Sequence, residues 1–498
     1  MRGLPRTRSS KLKLGATFMV ALALAGCDLG AGPVQPKITL PVAWDGKAAA
    51  PATWPAADWW KSFGSAELNG LVAEAQTNNL DIAAAAARVL QADAQLNVTG
   101  AALFPQISFT SDLKQRGPAG DPKLIEGSGS SSSLSSDLGG GSGGSRHRTT
   151  LDIGIGAQYA LDFWGKNRDN VAAAKASLNA SHFDRETVAL TVTSGVASTY
   201  LQIMVLKDRI ALAQQNLANA QAVEQVVQSK ARNGAVSALD LAQQQSQVAA
   251  QQAAIPPLQL QEKQALNALA LLLGRNPEQL RLAGTGLKGL TLPTVGAGLP
   301  SGLLTRRPDI QEAEANLAAA NANLLAARAA MLPTIDLSST LSLEAIATDF
   351  AFGGAGAAYT AAASLVQPIF DAGQLKAQKD VAAGKQLELV QTYHSTILTA
   401  LSDTENALAA IDSLKSQRQW QEAEVAQAGT AFTLAQAQYR AGSSELLPVL
   451  DAQRTVFQAQ DGRLTLVLSQ FQAAVSLYKA LGGGWQVGTE TKVATTAP

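Results

Sequence analysis

The chain has 498 residues, with 39 Lys or Arg and 39 Asp or Glu, so its formal net charge at neutral pH is zero. This balance gives no charge-driven case for a nucleic-acid partner. The single cysteine and the three widely spaced histidines offer no disulfide, no cysteine-based zinc site and no HExxH-type pair. We therefore expect no metal, no bound cofactor and no catalytic residues.

The segment 1–26 has the pattern of a bacterial export signal. Basic residues precede an apolar stretch of about a dozen residues, which is too short to span a bilayer. That stretch ends at Leu24-Ala25-Gly26-Cys27, which fits a lipobox with the only cysteine at the cleavage site. We predict a signal peptide over 1–26, a covalent lipid on Cys27 and a lipidated N-terminal tether over 27–63. The alternative is an ordinary signal peptide with an incidental cysteine.

Alternating apolar and polar residues predict four strands in two hairpins. From Leu151 to Phe163 every odd position is apolar, and shorter stretches repeat this period of two. The predicted strands lie at about 106–116 and 148–163, and at about 334–346 and 357–370. Strands of this length with one apolar face are typical of transmembrane barrels. A soluble sandwich with one wet face is the alternative.

A long helical stretch follows each hairpin, from about 166 to 232 and from about 374 to 440. A narrow apolar stripe at three- and four-residue steps predicts coiled-coil packing rather than a globular core. In the second stretch the predicted stripe contains Leu387, Val390, Ile397, Leu401, Leu408 and Ile411.

Each long stretch ends at a tight tip that leads into a returning helix. Gly234 and Gly442 are natural positions for a left-handed residue that terminates a helix. Ser237 is expected to cap the first returning helix, and Ser443 or Ser444 the second.

These elements occur twice. Arg232 and Gly234 of the first copy return at one constant offset as Arg440 and Gly442. The chain is therefore read as a tandem duplication. The first repeat covers 64–285 with its tip at about 232–238. The second covers 286–482 with its tip at about 440–446, and a C-terminal tail follows over 483–498.

Four strands cannot close a barrel, because single-chain outer-membrane barrels start at eight strands. An open sheet would leave backbone N–H and C=O groups unpaired in lipid. Each chain is therefore expected to supply part of a shared barrel in a cyclic assembly, with its helices extending it as a tube. The fold class is α+β: long helical hairpins plus four strands. One alternative is a purely structural periplasmic coiled-coil lipoprotein. Another is a secreted hydrolase, which would need a nucleophile–histidine arrangement that the sequence does not offer.

Several motifs in a fixed order carry a family resemblance. They are the lipobox, the segment Trp59 to Leu68, Ala160 to Lys166, Arg306-Arg307-Pro308-Asp309-Ile310, Gln367 to Gly373, Tyr439 to Gly442 and Leu450 to Gln453. In these the chain resembles the outer membrane factors of bacterial tripartite efflux pumps, the TolC/OprM-like channels. It looks most like their NodT-type lipoprotein branch.

The resemblance implies a homotrimer with a 12-stranded barrel, four strands per chain, and a helical tunnel through the periplasm. It implies a protein anchored in the outer membrane that passively conducts small molecules, including drugs or toxic compounds, to the exterior. The implied partners are a periplasmic adaptor and an inner-membrane transporter of the resistance-nodulation-division class. An exit duct for type I protein secretion is the alternative function.

The resemblance also assigns candidate site residues at the two tips. Positions that match the family's periplasmic gate are Asp240, Asp451, Tyr439 and Ser444. A ring of carboxylates at a constriction would favour cations. For the two aspartates, a solvated or helix-capping role is the alternative. The tip residues implied to contact the adaptor are Arg232, Gly234, Arg440 and Gly442.

Overall fold

The computed structural model describes residues 40–41, 43–44, 54–116, 148–296, 298, 300–346 and 356–485. The predicted signal peptide, Cys27 and nearly all of the tether before residue 54 lie outside these ranges. The Ser/Gly-rich connector of the first hairpin and most of the C-terminal tail also lie outside them.

The helices and strands follow one another in the order that the repeats predict. In chain order they are α1 (Ala66–Asn78), α2 (Leu80–Gly100), β1 (Gln106–Arg116), β2 (Arg148–Leu161), α3 (Lys166–Arg232), α4 (Ala238–Leu272), α5 (Leu303–Arg306), α6 (Pro308–Ala329), β3 (Thr334–Ile346), β4 (Gly356–Val366), α7 (Gln374–Ala441) and α8 (Leu447–Ala480). Short 3-10 helices lie at Trp59–Phe63, Ala101–Leu103, Pro277–Gln279 and Pro300–Gly302. We call α4 and α8, which follow the tips, the return helices.

One compact unit, formed by residues 95–174 and 320–386 among those described, contains the sheet. Its four strands are antiparallel in the order β1-β2-β3-β4. Phe109 pairs with Ile155, Ile155 with Leu341 and Leu341 with Tyr359, so one apolar row crosses all four strands. Because side chains alternate between faces, the predicted apolar face is continuous. The expectation of four strands in two hairpins is confirmed.

Two strands end earlier than the alternation predicts. β2 ends at Leu161 instead of about 163, because the Asp162 carboxylate accepts hydrogen bonds from the N–H groups of Asn167 (3.0 Å) and Arg168 (2.8 Å) and so caps α3. β4 ends at Val366 instead of about 370. Pro368 follows closely, and it has no N–H with which to continue a ladder.

In the turn after β4 an aspartate again caps the helix that follows. The Asp371 carboxylate accepts hydrogen bonds from the N–H groups of Gly373 (2.9 Å) and Leu375 (2.8 Å) at the start of α7. Gly165 and Gly373, which occupy equivalent positions in the two repeats, have φ values of 85° and 84°. Two of the family-like motifs thus form the turn between a strand and the long helix that follows it.

The other unit is formed by the described residues within 35–94, 175–319 and 387–498, and it holds the larger core. Side chains from the 3-10 helix Trp59–Phe63 and from α1, α3, α4 and α8 meet there, among them the fully buried Phe63, Leu68, Leu201, Met204 and Leu269. Part of α3 is long and apolar enough to cross a membrane, but 56% of that window is buried inside the protein. We therefore interpret it as a core helix.

The apolar stripe of α7 is only partly confirmed. Val390 and Ile397 are buried as predicted, whereas Leu387 is 61% exposed. Leu387 therefore lies outside the intrachain seam, on a second face of the helix. Apolar residues at three- and four-residue steps can belong to either of two neighbouring faces of a helix. The sequence pattern therefore does not show on which face a residue at the edge of the stripe lies.

Candidate functional site: the two helical tips

The first tip reverses the chain between α3 and α4. Gly234 has φ 69°, and its N–H donates to the Ala231 carbonyl at 3.0 Å. The Ala235 N–H donates to the Lys230 carbonyl at 2.9 Å. This pair of bonds satisfies the last carbonyls of the helix, and it needs a residue that adopts positive φ at little cost.

The second tip has the same backbone. Gly442 has φ 76°, and its N–H donates to the Tyr439 carbonyl at 3.1 Å. The Ser443 N–H donates to the Gln438 carbonyl at 3.0 Å. Gly234 and Gly442 therefore terminate α3 and α7 as the sequence predicts.

The capping predictions hold at one tip and fail at the other. Ser237 caps α4 in a capping box with Asp240: the Asp240 N–H donates to Ser237 Oγ, and the Ser237 N–H donates to the Asp240 carboxylate at 3.0 Å. Ser443 and Ser444 do not cap α8, so that prediction is wrong. Helix α8 begins at Leu447, after Leu446, and no side chain of the described residues caps it.

The start of α8 has a physical reason. Pro448 lies in its first turn, where a missing N–H costs nothing and a fixed φ favours the helix. Ser443 Oγ instead donates to the Gln438 carbonyl at 3.1 Å, and Ser444 Oγ to the Glu445 carbonyl at 3.3 Å.

The two tips are brought together by one buried apolar cluster. Its fully or nearly fully buried members are Val223, Val227, Tyr439, Leu446 and Val449, and Val236 and Leu241 of the first tip pack against them. The tips of both repeats therefore lie at the same level.

Lys230 links α3 to α7 within this cluster. Its ammonium lies 4.3 Å from the centre of the Tyr439 ring and donates to the Tyr439 carbonyl. A cation over an aromatic face is favourable, and it also neutralises the negative end of a helix. This contact joins residues 209 positions apart.

Tyr439 is buried, with 3% of its surface exposed, and its hydroxyl has no hydrogen-bond partner among the described residues. Burial raises the pKa of Tyr439, and the charge of Asp240 raises it further. The fold thus brings Tyr439 near Asp240. Ser444 is partly buried in the loop between α7 and α8.

The two aspartates at the tips have different surroundings. The Asp240 carboxylate is engaged in the capping box, where Ser237 Oγ also donates to it at 2.9 Å. Asp451 is largely exposed and pairs with Arg454 at 2.9 Å across one helical turn. Asp240 therefore has the helix-capping role that was the alternative for it, whereas the Asp451 carboxylate faces solvent.

The outer surface of each tip combines charge with apolar area. Arg232 and Arg440 are exposed, as are Gly234 and Gly442 between the helices. Leu239 and Leu447, at equivalent positions, are 65% and 57% exposed. The sequence did not mark these leucines as site residues. Their exposure adds them to the tip surface.

Among the residues that the structure describes, no group of three or more His, Cys, Asp or Glu side chains is placed to hold a metal ion. The Cys27 position lies outside the described ranges, so its predicted lipid remains an expectation.

Comparison with known proteins identifies the same architecture. The family model described as outer membrane efflux protein matches residues 71–275 and 299–483. The chain is 42% identical to the pyoverdine export outer membrane protein OpmQ of Pseudomonas putida, over 95% of this chain and 98% of that protein. It is 31% identical to the cation efflux system protein CusC of Escherichia coli, over 94% and 98% of the two chains.

Solved structures agree with this. A crystal structure of CusC superposes with a TM-score of 0.80 at 28% identity and covers 92% of this chain and 100% of that one. A membrane protein from Pseudomonas aeruginosa gives 0.80 at 28% identity, over 93% and 100%. The resemblance stated from the motifs is confirmed, and the chain is an outer-membrane protein that belongs to the outer membrane efflux protein family.

Proposed function

We propose that the protein is the outer-membrane channel of a tripartite efflux system and acts as a homotrimer. The observation that carries this is the sheet: within the described chain, its four strands leave two unpaired outer edges and an uncovered apolar face. Phe109 and Tyr359 on that face are 69% and 84% exposed. Three copies joined edge to edge would pair the open edges and place the apolar face against lipid.

The two repeats, 64–285 and 286–482, are proposed to give each subunit two hairpins for the barrel and two tips for the inner mouth. A lipid on Cys27 would add an anchor in the outer membrane. In support, the chain is 30% identical to SilC of Salmonella typhimurium, described as a probable outer membrane lipoprotein, over 95% of its length.

The tips are proposed as the inner mouth. Asp240, Asp451, Tyr439 and Ser444 would form its gate. Arg232, Gly234, Arg440 and Gly442 would meet a periplasmic adaptor, which in turn would contact an inner-membrane transporter of the resistance-nodulation-division class. The channel itself needs no chemistry, because opening and closing a passage suffices.

For the substrate we propose a secreted siderophore of the pyoverdine type. In support, the pyoverdine export proteins match at 41–42% identity, whereas the cation efflux relatives match at 31–32%.

Complementation tests this proposal. A Pseudomonas putida strain lacking OpmQ would receive this chain, and siderophore would be measured in the medium and in the periplasm. We expect secretion to be restored. Outer-membrane trimers without restored secretion would remove the substrate proposal, whereas a soluble monomer would remove the channel proposal.

A tip variant tests the adaptor contact in the same strain. Gly442→Asp adds a side chain and a charge at the second tip and is expected to abolish secretion and adaptor crosslinking. Gly442→Asn, which tolerates positive φ without the charge, separates strain from docking. Gly70→Asp, at an exposed helix position with open space around it, is the control for added charge. Intact crosslinking with Gly442→Asp would show that the tip is not the partner surface.

A further inference from the structure

Two glutamines near the tips are completely buried. Gln244 lies on α4 and Gln453 lies on α8, and the exposed fraction of each is 0%. Glutamine is mostly found at protein surfaces, and a buried polar side chain nearly always has hydrogen-bond partners. The burial of both glutamines therefore calls for a physical reason.

The hydrogen bonds of the two side-chain amides are incomplete. Gln244 Nε2 donates to the Ala220 carbonyl of α3 at 2.8 Å, but Gln244 Oε1 has no partner among the described residues. Neither Nε2 nor Oε1 of Gln453 has a partner there. Gln244 thus has an unused acceptor, and Gln453 has an unused donor as well as an unused acceptor.

Each glutamine lies one helical turn beyond the apolar cluster of the tips. Leu241 of α4 and Val449 of α8 both pack in that cluster. Gln244 is three residues after Leu241, and Gln453 is four residues after Val449. Side chains at these spacings lie on one face of a helix, so both amides lie on the faces that their helices turn towards the cluster.

The two amides also lie at one level along α3. Val223 of α3 belongs to the same cluster as Val449, and Ala220 lies about one helical turn further from the tip than Val223. Because α3 runs towards the tip and α8 runs away from it, one turn further from the tip on α8 leads from Val449 to Gln453. The Ala220 carbonyl, to which Gln244 donates, is therefore level with Gln453.

We propose that Gln244 and Gln453 form one polar layer in the interior of the tips, in which water links the two amides. The water donates to Gln244 Oε1 and accepts from Gln453 Nε2, and it satisfies a donor and an acceptor that the protein leaves unpaired. We call this pair the glutamine layer. It lies on the inter-repeat seam, where α3 and α4 of the first repeat meet α7 and α8 of the second.

The glutamine layer keeps the inter-repeat seam weak. A polar residue in the interior of a helical bundle lowers stability relative to an apolar one, while it still determines which helices face one another. The layer therefore lowers the cost of moving the second tip away from the first, as opening of the inner mouth requires. This inference rests on the proposed channel and its gate, and it adds two residues that determine how readily the gate opens.

A double-mutant cycle tests whether the two glutamines share one layer. Gln244→Met and Gln453→Met each remove one amide and leave the other without its bond, so each single variant should unfold at a lower temperature. The double variant removes both amides at nearly constant side-chain volume, and it should unfold at a higher temperature than either single variant.

The control cycle combines Gln244→Met with Gln470→Met. Gln470 is also buried on α8, but it is about 25 Å further along the helix than Gln453, so these two changes should be additive. Additive changes in the cycle of Gln244 and Gln453 would overturn the shared layer. A double variant that is less stable than both single variants, or that does not assemble, would overturn it as well.

Channel opening is the measurement that a purely structural pair would not change. In planar bilayers we expect the double Met variant to open several-fold less often than the unmodified protein, because its inter-repeat seam is apolar at this level. An unchanged open fraction in that variant would overturn the role of the layer in opening. Unmodified protein that gives no conductance steps would instead overturn the proposed channel, whereas the unfolding temperatures would still decide whether the two glutamines are coupled.

Discussion

Asn79 and Arg307 occupy equivalent positions in the two repeats, and each side chain donates a hydrogen bond to the end of a return helix. Asn79 Nδ2 donates to the Leu272 carbonyl at 2.8 Å, and Arg307 Nη1 donates to the Ala480 carbonyl at 3.1 Å. The two acceptors are equivalent positions as well. Both repeats thus have a hydrogen bond from the residue before α2 or α6 to the end of the return helix, which we call the joint. An amide makes it in the first repeat and a guanidinium in the second.

The second joint carries more charge. Arg307 is 8% exposed and pairs with Asp309 through bonds of 3.0 and 2.6 Å, and Asp403 lies 3.5 Å away. The motif Arg306-Arg307-Pro308-Asp309-Ile310 therefore supplies an ion pair between a buried guanidinium and a partly exposed carboxylate at the start of α6. Its presence in the sequence is explained by this joint, not by a surface for partners.

Removing the two side chains should have unequal effects. Arg307→Ala removes the buried guanidinium that bonds to the partly exposed carboxylates of Asp309 and Asp403 and to the Ala480 carbonyl. Because hydrogen bonds to charged groups contribute about 1.5–3 kcal/mol each, it should lower the free energy of unfolding by about 3 kcal/mol or more. Asn79→Ala leaves a carbonyl unpaired and should cost about 1–3 kcal/mol. Thermal unfolding followed by circular dichroism measures both. Arg306→Ala, which removes only a cation–π contact with Trp54, is the control, with an expected loss of about 0.5–1 kcal/mol. Equal losses at 79 and 307 would contradict the charged joint.

Four glycines with positive φ should differ in how well they tolerate substitution by alanine. Gly274 and Gly482 have positive φ, and an added Cβ would collide with the carbonyl oxygens of Asn78 and Arg306, respectively. Alanine at either position should therefore prevent stable assembly. At Gly234 and Gly442, φ is also positive, but beyond the adjacent residues no described atom lies within 4 Å of an added Cβ. Alanine there should therefore cost only the backbone strain of a positive φ, about 1–2 kcal/mol. The yield of trimer on semi-native gels measures this difference. Comparable yields for both pairs would show that close approach plays no part.

The two tip aspartates should respond differently to neutralisation. Asp451→Asn removes an exposed charge and should reduce cation selectivity in planar bilayers. Asp240→Asn should change selectivity less, because that carboxylate serves the capping box, and it should mainly weaken the start of α4 by about 0.5–2 kcal/mol. Ser237→Ala, which removes the cap and keeps the charge, is the matched control. Unchanged selectivity in both aspartate variants would remove the acidic-ring role.

Stability should fall between about pH 5 and pH 8 because of Glu312. Burial, together with the carboxylates of Asp184 and Asp309, raises the pKa of Glu312 to about 7 against the opposing charge of Arg88. A folded-state pKa above the unfolded value means that the contribution is fully present below about pH 4.5 and is lost as pH rises through 7. The group is only partly buried, so the effect is on the order of 1 kcal/mol after allowance for solvent screening. Glu312→Gln should flatten the pH dependence of the unfolding temperature. An unchanged profile in this variant would assign the dependence elsewhere.

The order and ends of most helices and strands can be predicted from local sequence patterns. The side-chain contacts at the tips cannot. Alternation predicts the strands, because one face of the sheet is apolar throughout, and Gly234 and Gly442 predict the helix ends, because positive φ is required there. The expected cap at Ser444 fails because Pro448 sets the start of α8 further along the chain.

Contacts between distant parts of the sequence could not be predicted in this way. The Lys230–Tyr439 contact and the buried state of Tyr439 depend on packing between residues far apart in sequence, which no local period encodes. Leu387 is exposed, against the prediction, because α7 has two apolar faces and the second is uncovered within the described chain.

Single-channel conductance shows directly whether this chain forms an outer-membrane channel. Protein purified from outer membranes would be added to a planar lipid bilayer under voltage clamp. We expect trimers to insert and give discrete conductance steps, with a cation preference that Asp451→Asn reduces. A protein that is recovered as a soluble monomer and gives no conductance steps would contradict it.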